Sequence, residues 1–278
     1  MCRLCDLKNP TWSARRAFLM AAGSALAAPA LAQVDVGNSS IARNLVPAAT
    51  LENAARQQYS EMVQQARAQN TLAPPDNPQL QRLREIAKRA VPQAVRWNDR
   101  AARWTWEVNL VSSKQINAFC MPGGKIVFYT GILDQLGLTD DEAAMIMGHE
   151  MAHALREHAR SRLVKSQATS IGLRLGAQLM GWGDGGQMAA NIGSQLISLR
   201  FSRSDETEAD LVGLELAARA GYRPDASVSL WQKMAKASGG KNNLSFLSTH
   251  PSNPDRIKQL QVNLPKVQGL YEAAPPLV

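Results

Sequence analysis

The sequence predicts an α+β, mostly helical domain with a small β-sheet set immediately before its most informative helix. Three observations predict this. From Arg103 onward apolar residues recur with a period of two. Thr139, three residues ahead of Glu142, opens a capping box, and an uninterrupted helical stretch is expected from there to Arg160. That stretch carries His149, Glu150 and His153 as HEMAH, and three of the chain's four histidines fall between positions 149 and 158.

The elements follow in order. Residues 1–32 differ in kind from the rest: Arg15 and Arg16, then Phe18 and Leu19, precede a run of small apolar residues ending Ala30-Leu31-Ala32. This reads as a twin-arginine export signal cleaved after Ala32, and it implies a periplasmic protein. Loss of that segment would lower the net charge from +8 to about +5 and discard Cys2 and Cys5, leaving Cys120 alone as a buried structural thiol. No Lys/Arg stripe interleaved with aromatics appears, so nucleic acid is not an expected partner. Residues 33–74 read as a flexible lead-in, to about position 46, followed by an exposed helix over 51–69. Three prolines between 71 and 78 end it.

Residues 75–265 are expected to form the main domain, at 45% hydrophobic content over the 278-residue chain. It opens with an amphipathic helix over 80–95, ended near Pro92. Trp104, Trp106, Val108 and Leu110 alternate with polar residues, which predicts a half-buried strand. Residues 117–120 and 126–129 are two short strands joined by a Met121-Pro122-Gly123-Gly124 turn, and a short helix over 130–138 leads into the capping box. Residues 166–199 hold scattered glycines and read as a packed loop or helical hairpin, its apolar arms too short to span a bilayer. A helix opens at the acidic cluster Asp205, Glu206, Glu208 and Asp210 and ends at Gly221. Residues 266–278 are expected to be a C-terminal tail.

Positions i and i+4 of a helix lie about 40° apart, so His149 and His153 can reach one metal ion from one face, with the Glu150 carboxylate beside them as a general base. HExxH on a helix is the pattern of zinc hydrolases, which need a third protein ligand. His158, five residues beyond His153 on a continuous helix, points away and reads as a surface residue. The HExxHxxGxxH arrangement fails because Arg156 and Ala159 occupy its Gly and His positions. Glu206 and Asp210 share one helical face and Glu208 points about 200° from Glu206, and either face can meet the HEMAH helix. His250, the remaining histidine, falls in a loop before Pro251 and is a candidate transition-state donor.

HEMAH, with Glu206-Thr207-Glu208-Ala209-Asp210 some fifty residues later, resembles the HExxH…ExxAD pattern of the HtpX/BepA/LoiP-like zinc metallopeptidases, related to the CAAX prenyl proteases. Asn117-Ala118-Phe119, Pro122-Gly123-Gly124, Gly131 and Thr249-His250-Pro251-Ser252 with Arg256 are similar to that family too. The resemblance implies a zincin-like domain holding one Zn²⁺ through His149, His153 and Glu206. Asp210 would orient a ligand histidine, and His250 would lie near the metal as a donor or a reversible fourth ligand. It also implies substrate held as an added strand near Asn117, Gly123 and Gly124, and activity on unfolded or misassembled envelope proteins, with peripheral contact to the envelope membrane. A rival implication is a zinc-bound chaperone or outer-membrane assembly factor whose peptidase site stays covered. Relatives with a C-terminal repeat domain carry it after the His-Pro-Ser segment; about 25 residues follow here, so none is expected.

Overall fold

The computed structural model describes residues 34–166, 196–239, 245–251 and 255–277. Residues 1–32, read above as an export signal, and nearly all of the glycine-rich stretch lie outside those residues.

Helix α1 (Ala48–Ala68) turns Leu51, Ala54, Ala55, Tyr59 and Ala66 inward, so the helix expected to be exposed covers one face of the sheet instead. Helix α2 (Pro78–Ala90) is capped by Asn77, whose side chain accepts the Gln79 and Leu80 amides, and it ends at Pro92 in a 3₁₀ turn. The sheet has the order β1 (Glu107–Val111), β3 (Lys125–Tyr129), β2 (Ala118–Met121), with β1 parallel and β2 antiparallel to β3. Gly123 and Gly124, at φ of +87° and +80°, close the β2–β3 hairpin, and a Cβ at Gly124 would fall 2.7 Å from the Trp106 ring.

The expected strand from Arg103 is shorter than its alternation suggests. Trp104 caps a 3₁₀ turn over Asp99–Arg103, and β1 is buried from Val108 to Val111 without alternation. It lies inside the molecule, with Leu110 in the main core and Val111 in the core beneath α1.

Helix α3 (Thr130–Leu136) leads to α4 (Asp140–Leu155), opened by the Thr139–Glu142 capping box. The expected continuous helix to Arg160 breaks here. Glu157 adopts φ +57°, and a separate helix α5 (His158–Ser166) starts in a new direction. The corner is held from outside by the lead-in. Arg43 pairs with Glu157, the Gly37 carbonyl accepts from Arg156, and the Val46 carbonyl accepts from Arg160. The lead-in is therefore anchored rather than flexible, with Val34 and Val46 buried and the Val34 amide donating to the buried Glu215 carboxylate at 2.6 Å.

Helix α6 (Arg203–Arg219) opens on a Ser202–Asp205 capping box and crosses α4 with backbones in contact. A Cβ on Gly148 would stand 2.6 Å from the Gly213 carbonyl, and one on Gly213 would stand 2.6 Å from the His149 amide nitrogen. Only glycine at both positions permits that approach. Helix α7 (Ala226–Ser238), the short α8 (Ser245–Thr249) and α9 (Arg256–Glu272) complete the fold, α9 packing against α6. The expected tail is largely part of α9: Leu260, Asn263, Val267 and Leu270 continue one buried stripe through Pro265.

Candidate metal centre

The close crossing of α4 and α6 brings HEMAH against the acidic start of α6. His149, His153, Glu206 and His250 each offer a donor atom, and these four atoms lie within 4.8 Å of one another, all buried. His149 Nε2 is 3.1 Å from His153 Nε2, 3.3 Å from His250 Nδ1 and 3.5 Å from Glu206 Oε2. Glu206 Oε1 is 3.4 Å from His153 Nε2 and 3.1 Å from His250 Nδ1. Ligands of one tetrahedral zinc stand about 3.3–3.6 Å apart, and these separations of 3.1–3.5 Å, with Glu206 turning both oxygens toward the histidines, are short enough for one ion to be shared.

The proton arrangement fits a cation as well. His149 Nδ1 lies 3.1 Å from Asp210 Oδ1, an acceptor, so a neutral His149 carries its proton on Nδ1 and directs the Nε2 lone pair at the other donors. Glu206 Oε2, fully buried, has no hydrogen-bond partner among the described residues, although Arg256 Nη1 approaches to 2.9 Å as an ion pair. Burial drives the His153 imidazole well below its ordinary pKa, which keeps that ring neutral. Burial opposes the charge on Glu206 too, but His250, His149 and His153 outweigh it and hold the carboxyl well below its usual range.

Asp210 is clamped by Arg256, which reaches it twice at 2.6 Å and lies over the Trp231 ring at 3.5 Å. This buried guanidinium joins Asp210 to Glu206 from α9. Only the presence of Arg256 in the late segment was legible in sequence, and its clamping position was not. His158, expected at the surface, is buried, with Nδ1 2.9 Å from His153 Nδ1. The helix break at Glu157 folds it back, which the continuous-helix reading could not anticipate. Glu208 sits behind His158, at 3.4 Å from its Nε2, and is held by Arg156 at 2.9 Å, so it is Glu206 and not Glu208 that joins the donor set.

Glu150 faces the same space from the other side. Its Oε1 is buried without a hydrogen-bond partner, 3.5 Å from His250 Nε2, and burial pushes the carboxyl up to about 7. A cation among the neighbouring donors would draw that value down. The donors lie beside a cleft lined by Glu150, His153, His250, Phe201, Leu51 and the run from Asn117 to Pro122 that contains β2. Strand β2 is an edge of the sheet, bonded only to β3 among the described residues. Asn117 therefore borders the cleft, whereas Gly123 and Gly124 do not: they shape the hairpin, against Glu52 and Trp106. Cys120, expected to be buried, is half-buried in the cleft wall, and desolvation lifts its thiol well above its ordinary value. No helix of the described residues is long and apolar enough to cross a membrane.

Residues 77–263 match the model of peptidase family M48. The chain is 35% identical to the mitochondrial metalloendopeptidase OMA1 of Schizosaccharomyces pombe over 61% of its own length and 50% of that protein's. It is 29% identical to the metalloprotease LoiP of Escherichia coli, over 54% of this chain and 59% of that one. To the beta-barrel assembly-enhancing protease of Yersinia pestis it is 28% identical, over 58% of this chain and 35% of that one. The chain thus spans about half the length, or less, of most of these curated relatives.

Proposed function

The chain belongs to peptidase family M48, and on that premise we propose that it is a zinc-dependent endopeptidase acting on unfolded or misassembled proteins of the bacterial envelope. The observation that carries the reading is the gathering of four buried donors within 4.8 Å of one another beside the unpaired Glu150 oxygen, next to a cleft bordered by an edge strand. His149, His153 and Glu206 would hold the ion. A bound Zn²⁺ supplies Lewis acidity, which acidifies a water and polarises a peptide carbonyl.

The chain's own residues do the rest. Glu150 accepts a proton at Oε1 from the attacking water and returns it to the leaving amine. Substrate adds as a strand along β2, which positions its scissile carbonyl by main-chain hydrogen bonds and accepts many sequences. Unfolded segments meet that requirement and folded domains do not. His250 Nε2, 3.5 Å from Glu150 Oε1, donates to the developing oxyanion when its Nδ1 is free. A periplasmic location rests on residues 1–32 alone, read as an export signal, and a reporter that must fold before export tests it when Arg15 and Arg16 are changed to Lys.

One observation favours a second reading. His250 Nδ1 stands among the ligand atoms and would complete a four-ligand shell, which suits a zinc-bound chaperone or assembly factor with a covered site. Digestion of casein by the wild type, by Glu150→Gln and by a chelated sample separates the two. Cleavage by the wild type alone supports the peptidase; no cleavage by any, with aggregation of a client still suppressed, supports the chaperone.

A further inference from the structure

We propose that His158 is a positioning residue for the metal centre: it accepts the Nδ1 proton of His153 and thereby keeps the Nε2 lone pair of that ring turned toward the ion. The chain of partners admits one neutral proton arrangement. Arg156 can only donate, and it holds the Glu208 carboxylate at 2.9 Å. Glu208 can only accept, so the proton of His158 lies on Nε2, 3.4 Å from Glu208 Oε2. The His158 lone pair is then on Nδ1, 2.9 Å from His153 Nδ1, which must be the N–H of that pair. The remaining lone pair of His153 is on Nε2, where the other three donors converge.

His158 reaches this position because the backbone turns at Glu157. It is buried, and its ring packs edge-on against that of His153 at 5.0 Å between centroids. Asp210 performs the same service for His149 directly, so each ligand histidine has its Nδ1 occupied.

The proposal rests on His153 being a ligand, which the zinc content of His153→Ala tests by itself. If that variant keeps its zinc, it is the ligand reading that fails. For His158, the metal-free full chain is titrated with Zn²⁺ against a chromogenic chelator, and the Co²⁺-substituted protein is examined by visible absorption. His158→Leu removes the acceptor and should weaken zinc binding about 10–100-fold and alter the Co²⁺ bands. His158→Asn sets an amide oxygen near the Nδ1 position and should restore affinity to within about threefold. Glu208→Leu removes the acceptor of the His158 Nε2 proton and should cost about threefold to tenfold. A merely structural role would lower the melting temperature of the metal-free protein in step with affinity and leave the Co²⁺ bands unmoved. Wild-type affinity in His158→Leu, or a His158→Asn variant as weak as the leucine one, overturns the proposal. Should circular dichroism show His158→Leu unfolded, Glu208→Leu decides, and unchanged affinity and bands there overturn it.

Discussion

The two ligand histidines of HEMAH sit one turn apart on one helix, yet they are supported by opposite means. Behind His149 stands a charged clamp: Asp210 on α6, gripped by Arg256 from α9, with every group buried. Behind His153 stands an imidazole, His158, backed by a Glu208 whose side chain is 24% exposed and by Arg156 at the anchored lead-in. The first arm is preorganised by full charges in a low-dielectric interior; the second passes its constraint through a neutral ring to the solvent edge. Stability should therefore be concentrated in the His149 arm, and tolerance of change in the other.

The sharpest way to break the comparison is Arg256→Met. It leaves Asp210 and Glu206 buried without their counter-charge, which should cost about 3–5 kcal/mol in urea unfolding of the metal-free protein. Added zinc should recover part of this, because the ion replaces one positive charge beside Glu206. Gly213→Ala strikes both arms at once by wedging α6 away from α4. About 1–3 kcal/mol of stability should go, and zinc affinity should fall with it in chelator competition. Asp210→Asn removes the charge behind His149 alone and should weaken zinc about 10–100-fold, with the metal-free melting temperature recording how far Arg256 then destabilises the core. Smallest is Arg156→Gln, which loosens the pair of a buried guanidinium with the partly exposed Glu208 and its bond to the Gly37 carbonyl, and it should change unfolding free energy by about 1 kcal/mol. An Arg156 effect as large as that of Arg256 would erase the asymmetry.

The same asymmetry marks what the sequence made legible. HEMAH on a capped helix, the Gly-Gly hairpin and the Glu206–Asp210 face could all be read, because a local pattern dictates each. His158 could not. The corner that returns it to the site has no glycine or proline, and the left-handed Glu157 is held there through its carboxylate by Arg43, distant in sequence, and Arg160, on the next turn. Periodicity also misled over residues 103–110. Trp104 and Trp106 alternate like strand residues, but they pack over a 3₁₀ turn and against Gly124, while β1 itself is covered on both faces. Likewise the tail expected over 266–278 is helical as far as Glu272: the buried stripe of α9 continues past Pro265, since packing against α6 outweighs one missing hydrogen bond.

The contact between Gly148 and Gly213 has a consequence for which ions the centre accepts. Two main chains already touching cannot move closer, and they separate only by giving up the core around them, so the span between HEMAH and Glu206 behaves as a fixed calliper. Ions content with bonds near 2.0–2.2 Å fit between its jaws. Calcium, which wants six to eight oxygens at about 2.3–2.6 Å, finds too few ligands and a gauge that does not open.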